Sequence, residues 1–168
     1  MTDHPKPPRP QRPARPRKTP PHLPPKIPDD RSPILLVTVC TQNRRPLLAR
    51  PEVHDLLRTV WRQADAWRVG RYVVMPDHIH LFCAPSAFAG APVARWVQFW
   101  KSQATSQWPH PELLPIWQKS FWDTQLRHAE SYAAKWAYVR LNPVRAGLCD
   151  ATEQWPFQGE FSVLPWHD

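Results

Sequence analysis

Apolar and polar positions alternate along the chain in two rhythms, and their order predicts an α+β fold. Ile34 to Thr41 is a β-branched run of strand length, closed by the polar stretch Gln42-Asn43-Arg44-Arg45-Pro46. Beyond Pro51 the apolar residues Val53, Leu56, Leu57, Val60, Trp61, Ala64 and Trp67 fall at helical spacing, with the proline suited to a first turn. Arg71–Met75 and His78–Ala84 predict two strands joined through Met75-Pro76-Asp77. A second amphipathic helix spans Pro92 to Gln107, its stripe formed by Val93, Trp96, Val97, Trp100 and Ala104. Ser120–Arg127 suits a fourth strand, and a third helix from Ala129 to Leu141 should stop before Pro143. The remainder, with Trp155, Phe157, Phe161 and Trp166, is apolar enough to pack but has no clear period. This order predicts helices packed on one face of a mostly antiparallel sheet.

Composition divides the chain. Residues 1–33 hold 12 of the 23 prolines and no tryptophan, and carry 8 Lys/Arg against 3 Asp/Glu, +5 of the net +8. A segment so poor in large apolar groups cannot offset its ordering entropy, so it reads as a disordered, basic Pro/Arg-rich tail. Lys6, Arg9, Arg12, Arg15, Arg17 and Lys18 can neutralise phosphates without specificity, or can simply solubilise the chain. The organisation read from this is a tail over 1–33, a domain over 34–150 and a C-terminal extension over 151–168. Without a bilayer-length apolar run or a signal-peptide stretch, a soluble intracellular protein with no membrane partner is expected. Cys40, Cys83 and Cys149 lie far apart, which suits reduced thiols better than disulfides or a zinc knuckle. Only four glycines are present and no Gly-rich phosphate loop occurs, which argues against ATP-driven chemistry.

Two segments carry candidate chemistry. His78-Ile79-His80 on a strand puts two imidazoles on one face, roughly 6.5 Å apart along the chain. Such a pair can converge on one divalent ion, although it is also met as an incidental surface or core feature. Asp77 beside it adds a hard oxygen suited to Mg²⁺ or Mn²⁺. On the third helix, at 100° per residue, Ala129, Tyr132, Trp136 and Val139 form one buried stripe. Tyr138 lies off it, with Ser131, Lys135 and Asn142, so Tyr132 is the structural tyrosine and Tyr138 either a nucleophile or an exposed aromatic. A phenol attacks phosphate only when a metal or cation stabilises the charge that develops. Asn142 could lend an amide oxygen to the metal, and Lys135 could offset phosphate or phenolate charge.

The stretch Val73-Val74-Met75-Pro76-Asp77-His78-Ile79-His80-Leu81, followed by Trp117-Gln118-Lys119-Ser120-Phe121-Trp122-Asp123 and by Tyr138-Val139-Arg140-Leu141-Asn142-Pro143-Val144-Arg145-Ala146-Gly147-Leu148, resembles the IS200-like transposases, and among them the REP-associated tyrosine transposases. The resemblance covers about residues 34–149. It implies a ferredoxin-like HUH endonuclease fold with Mg²⁺ or Mn²⁺ on His78 and His80. It also implies attack by Tyr138 on single-stranded DNA to give a 5′-phosphotyrosine and a free 3′-OH for rejoining. Relatives usually carry glutamine four residues after the tyrosine; the shorter Asn142 leaves that ligand open.

The same likeness implies a hairpin-bearing single-stranded DNA partner, with Arg44, Arg45, Lys135, Arg140 and Arg145 as candidate DNA contacts, and a cytoplasmic, nucleoid-associated setting in bacteria. Single-tyrosine relatives often dimerise, some completing the partner's metal site with the tyrosine helix, so a homodimer stays open. Two other readings compete: a binding module that keeps the fold without catalysis, and a metal-dependent hydrolase in which Tyr138 is idle. Nearly all ten tryptophans are expected in the core rather than on a stacking platform.

Overall fold

A computed structural model describes residues 33–86, 91–126 and 129–164, with backbone alone for 129–131. The basic tail up to residue 32 and Trp166 therefore lie outside the described residues.

Five strands form one antiparallel sheet in the order β4-β1-β3-β2-β5. In chain order the elements are β1 (Ile34–Cys40), α1 (Pro51–Gln63), β2 (Trp67–Val74), β3 (His78–Pro85), α2 (Val93–Ser106), β4 (Trp122–Leu126), α3 (Ala129–Arg140), the short α4 (Asn142–Arg145) and β5 (Gln158–Glu160). The expected α+β class with an antiparallel sheet is what the chain adopts.

The central strands bury both faces, which is why they read as nearly continuous apolar runs. On one face Leu35, Val37 and Val39 of β1 join Ile79, Leu81 and Cys83 of β3 beneath the α1 and α2 stripes, including Leu57, Trp61, Trp96 and Trp100. The sequence predicts the helices on one face of the sheet only. The opposite face carries Ile34, Val73, Phe82 and Leu126, and it is covered by Val139, Tyr132 and Trp136 of α3 together with Trp155 and Leu164. The third helix thus lies across the sheet from the first two, because alternation sends Phe82 and its neighbours outward and α3 has the apolar stripe that covers them.

Three local departures have physical causes. Trp67 fits the α1 spacing, yet the helix ends at Gln63 and Trp67 opens β2, where its indole donates to the Ala91 carbonyl at 2.7 Å. Ahead of Arg71, β2 extends back to Trp67 across a register shift between Val69 and Tyr72. A Cβ at Gly70 would come within 2.6 Å of the Leu164 side chain, so glycine lets the C-terminal segment pack close to β2 there. The segment after residue 150, which has no sequence period, joins the sheet through β5 beside β2. Its Trp155 indole donates to the Val74 carbonyl at 3.0 Å. Trp61, Trp67, Trp96, Trp100, Trp108 and Trp155 are all buried, as expected for core tryptophans.

Candidate active site

Alternation along β3 turns His78 and His80 to the same side as Phe82, the side that α3 covers. Their Nε2 atoms stand 3.1 Å apart with the rings nearly perpendicular, at 88°. Each far nitrogen is held from behind. The Nδ1–H of His78 donates to Asp77 Oδ1 at 2.7 Å, since a carboxylate can only accept. His80 Nδ1 is hydrogen-bonded to Thr38 Oγ1 at 2.8 Å, and Thr38 faces it because β1 pairs with β3 in the register Thr38↔His80. Thr38 carries no local sequence signal; only strand register brings it here.

Electrostatics keep both rings uncharged at neutral pH. Burial pushes His80 down to about 3, with help from His78 and the Arg44 guanidinium. Burial lowers His78 as well, against the opposing pull of Asp77. Uncharged imidazoles, each hydrogen-bonded through Nδ1, bring their Nε2 atoms to one point, the arrangement in which hydrogen-bond partners hold metal-binding histidines.

The loop after β1 supplies the next layer. Asn43 and Arg44 both adopt left-handed backbone, with φ of 55° and 57°, uncommon for residues with a Cβ. This turn delivers the Arg44 guanidinium to Asp77 Oδ2 at 2.7 Å and to the Cys40 sulfur at 2.8 Å. Thr41, fully buried, closes the loop by donating to the Arg45 carbonyl at 2.8 Å. Sequence reasoning singled out neither Thr38 nor Thr41.

The remaining candidates divide between the site and the scaffold. Asp77 is gathered to the back of His78 and to Arg44 rather than to the Nε2 pair, and among the described residues no group of three His, Cys, Asp or Glu is arranged around a metal. Arg45 spans to the carbonyls of Leu113 and Pro115, and Arg140 pairs with Glu153 at 2.6 Å, so both are tied into the protein. Lys135 is exposed. Asn142 starts α4 half-buried, and among the described residues its side chain makes no hydrogen bond to the histidines.

On α3 the predicted stripe is the packed one. Val139 is buried, and Tyr132 and Trp136 stack edge-on against Phe82 at 4.9 and 6.3 Å between centroids. Tyr138 is 57% exposed, and Arg145 from α4 lies over its ring, 4.4 Å from the centroid. The histidine pair and the helix carrying an accessible phenol therefore share one face of the sheet, linked through Phe82.

No protein-family model matches the chain. It is 27% identical over 123 residues to the REP-associated tyrosine transposase of Escherichia coli (strain K12), covering 71% of this chain and 72% of that protein. Its fold is also similar to the structure of a REP-associated tyrosine transposase bound to a REP hairpin, with a TM-score of 0.64, 26% identity and 75% of each chain covered. In sequence and in fold together, the chain is similar to the REP-associated tyrosine transposases.

Proposed function

We propose that this protein cuts and rejoins single-stranded DNA beside a hairpin by metal-dependent transesterification through Tyr138. The observation that carries the reading is the convergence of two Nε2 atoms of uncharged imidazoles, each ring held through Nδ1, on the sheet face covered by α3, the helix that carries the exposed Tyr138. Kinship supports the substrate class, because the similar solved transposase holds a REP hairpin.

His78 and His80 would hold Mg²⁺ or Mn²⁺, and the donor set fits: two uncharged nitrogens leave several positions for phosphate oxygens and other donors. When bound, the ion supplies a positive centre that polarises the scissile phosphate. Asp77 and Thr38 position the imidazoles, and the Asp77 carboxylate fixes the tautomer of His78. Tyr138 Oη attacks phosphorus and releases its proton to solvent; the P–O3′ bond breaks, and the departing 3′ oxygen takes up a proton. The 5′-phosphate is left esterified to Tyr138. Rejoining is the reverse, a 3′-OH attacking that ester, so no external energy source is needed. Arg145 and Lys135 offset charge on the phosphate and the phenol oxygen.

The deciding experiment incubates the full chain and Mg²⁺ or Mn²⁺ with end-labelled hairpin-bearing single-stranded DNA and separates products on a denaturing gel. A covalent adduct that disappears in Tyr138→Phe and in His78→Ala is the expected result. Cleavage that survives Tyr138→Phe would establish hydrolysis instead, and binding without cleavage would establish a silent binding module.

A further inference from the structure

One described tryptophan is not accounted for by either core. Every other belongs to one of the two cores or packs against it, as Trp117 does beside Trp100 of α2 and Trp136 does beside Phe82. Trp122 on β4 belongs to neither and is half-buried. Among the described residues its indole makes no hydrogen bond and no ring contact. A single accessible ring needs no explanation of itself, so its place in the sheet decides what it can do.

That place follows from strand register. Trp122 pairs with Thr38 across β4 and β1, and Thr38 pairs with His80 across β1 and β3. Residues paired directly across antiparallel strands project to the same face, so Trp122 stands on the histidine side in one cross-strand row with Thr38 and His80. Two strand spacings separate Trp122 from His80, roughly 10 Å between backbones. Along β4, residues on this face run from buried Leu126, in the core that α3 covers, through exposed Thr124 to half-buried Trp122. The cover given by α3 therefore thins toward the histidine end. β4 is also the last strand of the sheet, so among the described residues no further strand lies beyond it.

We propose that Trp122 is a stacking platform for one unpaired base of the single-stranded DNA, next to the phosphate held at the Nε2 pair. The inference rests on the single-stranded substrate proposed above and adds a positioning contact to it. An indole offers a π face that accepts any base, so the contact orders the strand without reading its sequence. A base resting there and a phosphate at His78 and His80 belong to neighbouring nucleotides, because both lie in the same row of the sheet.

The test is fluorescence anisotropy of the full chain, without added metal, against two labelled DNA hairpins, one blunt and one with single-stranded flanks. Trp122→Ala should bind the flanked hairpin about 5- to 150-fold more weakly than the parent, the range for one lost base–aromatic stack, and the blunt hairpin equally well. Trp122→Phe keeps an aromatic face and should recover part of the loss. Trp122→Val keeps the preference for a strand without the ring and should behave like alanine, which separates stacking from folding. In flanked hairpins carrying one abasic site at a time, one position should weaken the parent and leave Trp122→Val unaffected, because the same stack cannot be lost twice. Equal affinity of the parent and Trp122→Val for the flanked hairpin would overturn the proposal. So would an equal loss on the blunt hairpin, or abasic effects that add at every position. Adduct formation with Mg²⁺ or Mn²⁺ is scored separately on the same DNA. Flank binding that depends on Trp122 with no adduct keeps the platform and overturns transesterification, whereas an adduct with binding independent of Trp122 does the reverse.

Discussion

The guanidinium carbon of Arg145 sits 4.4 Å from the ring centroid of Tyr138, so the exposed phenol has a cation on its face. The two side chains project from successive helices, α3 and α4, and only the helical turn resumed at Asn142 brings them together. A cation over an aromatic face contributes about 0.5–2 kcal/mol. If that interaction strengthens as negative charge grows on the phenol oxygen, Arg145→Met should slow adduct formation by about two- to thirtyfold at saturating DNA. Single-turnover gel kinetics measure this. Arg145→Lys should recover part of the loss, whereas identical rates for all three proteins would confine Arg145 to packing.

Asp77 and Thr38 hold the back of the histidine pair, so their loss should be felt as metal affinity before it is felt as stability. Removing such a partner typically costs 10- to 100-fold in affinity, and Asp77→Asn and Thr38→Val should each weaken Mn²⁺ by about that factor. Electron paramagnetic resonance of free Mn²⁺ reads the affinity directly. Wild-type binding by either variant would remove the positioning role.

Metal should also stabilise the native fold by mass action. At about 100 times its Kd, a ligand that binds only the folded state adds about 2.7 kcal/mol. Mn²⁺ should therefore raise the Tm of the parent and leave that of the double variant His78→Ala/His80→Ala unchanged. Equal shifts in the two proteins would place the metal elsewhere.

Lys101 on α2 predicts a pH dependence unrelated to the histidines. Burial pushes its ammonium down from 10.5 to about 8, while Nζ donates to the Gln118 carbonyl at 2.6 Å. A depressed lysine binds its proton less readily in the native state than in the unfolded chain. Between about pH 8 and 10.5 the unfolded state therefore holds more protons, and this group's contribution to stability rises with pH across that window. Relative to Lys101→Met, the parent should gain stability from pH 7.5 to pH 10 in urea denaturation. A stability difference that does not change with pH would refute the assignment.

Trp155 tests whether the C-terminal segment belongs to the fold. It is buried, stacks edge-on with Phe157 at 5.3 Å and bonds the end of β2 through its indole. Trp155→Ala should cost about 3–5 kcal/mol, and Trp155→Phe about 1 kcal/mol from the lost hydrogen bond plus a smaller packing loss. Chemical denaturation checks both; a neutral Trp155→Ala would mean the segment is peripheral.

Periodicity alone separated Tyr138 from Tyr132, because a helix turns 100° per residue wherever it packs, and the stripe of Tyr132, Trp136 and Val139 is indeed the packed one. Period-two alternation likewise set His78 and His80 on one face before any partner strand was known. Both conclusions depend on backbone geometry within a single element, which the local sequence carries. Long-range pairing decided the rest. Thr38 reached His80 through the β1–β3 register, and Arg44 reached Asp77 through two left-handed residues. Trp67 joined a strand because a single apolar residue suits either period, and three-residue β5 is too short to show a period at all. The face chosen by α3 depended on which side of the sheet still needed cover, and that is a property of the assembled layers rather than of any segment within them.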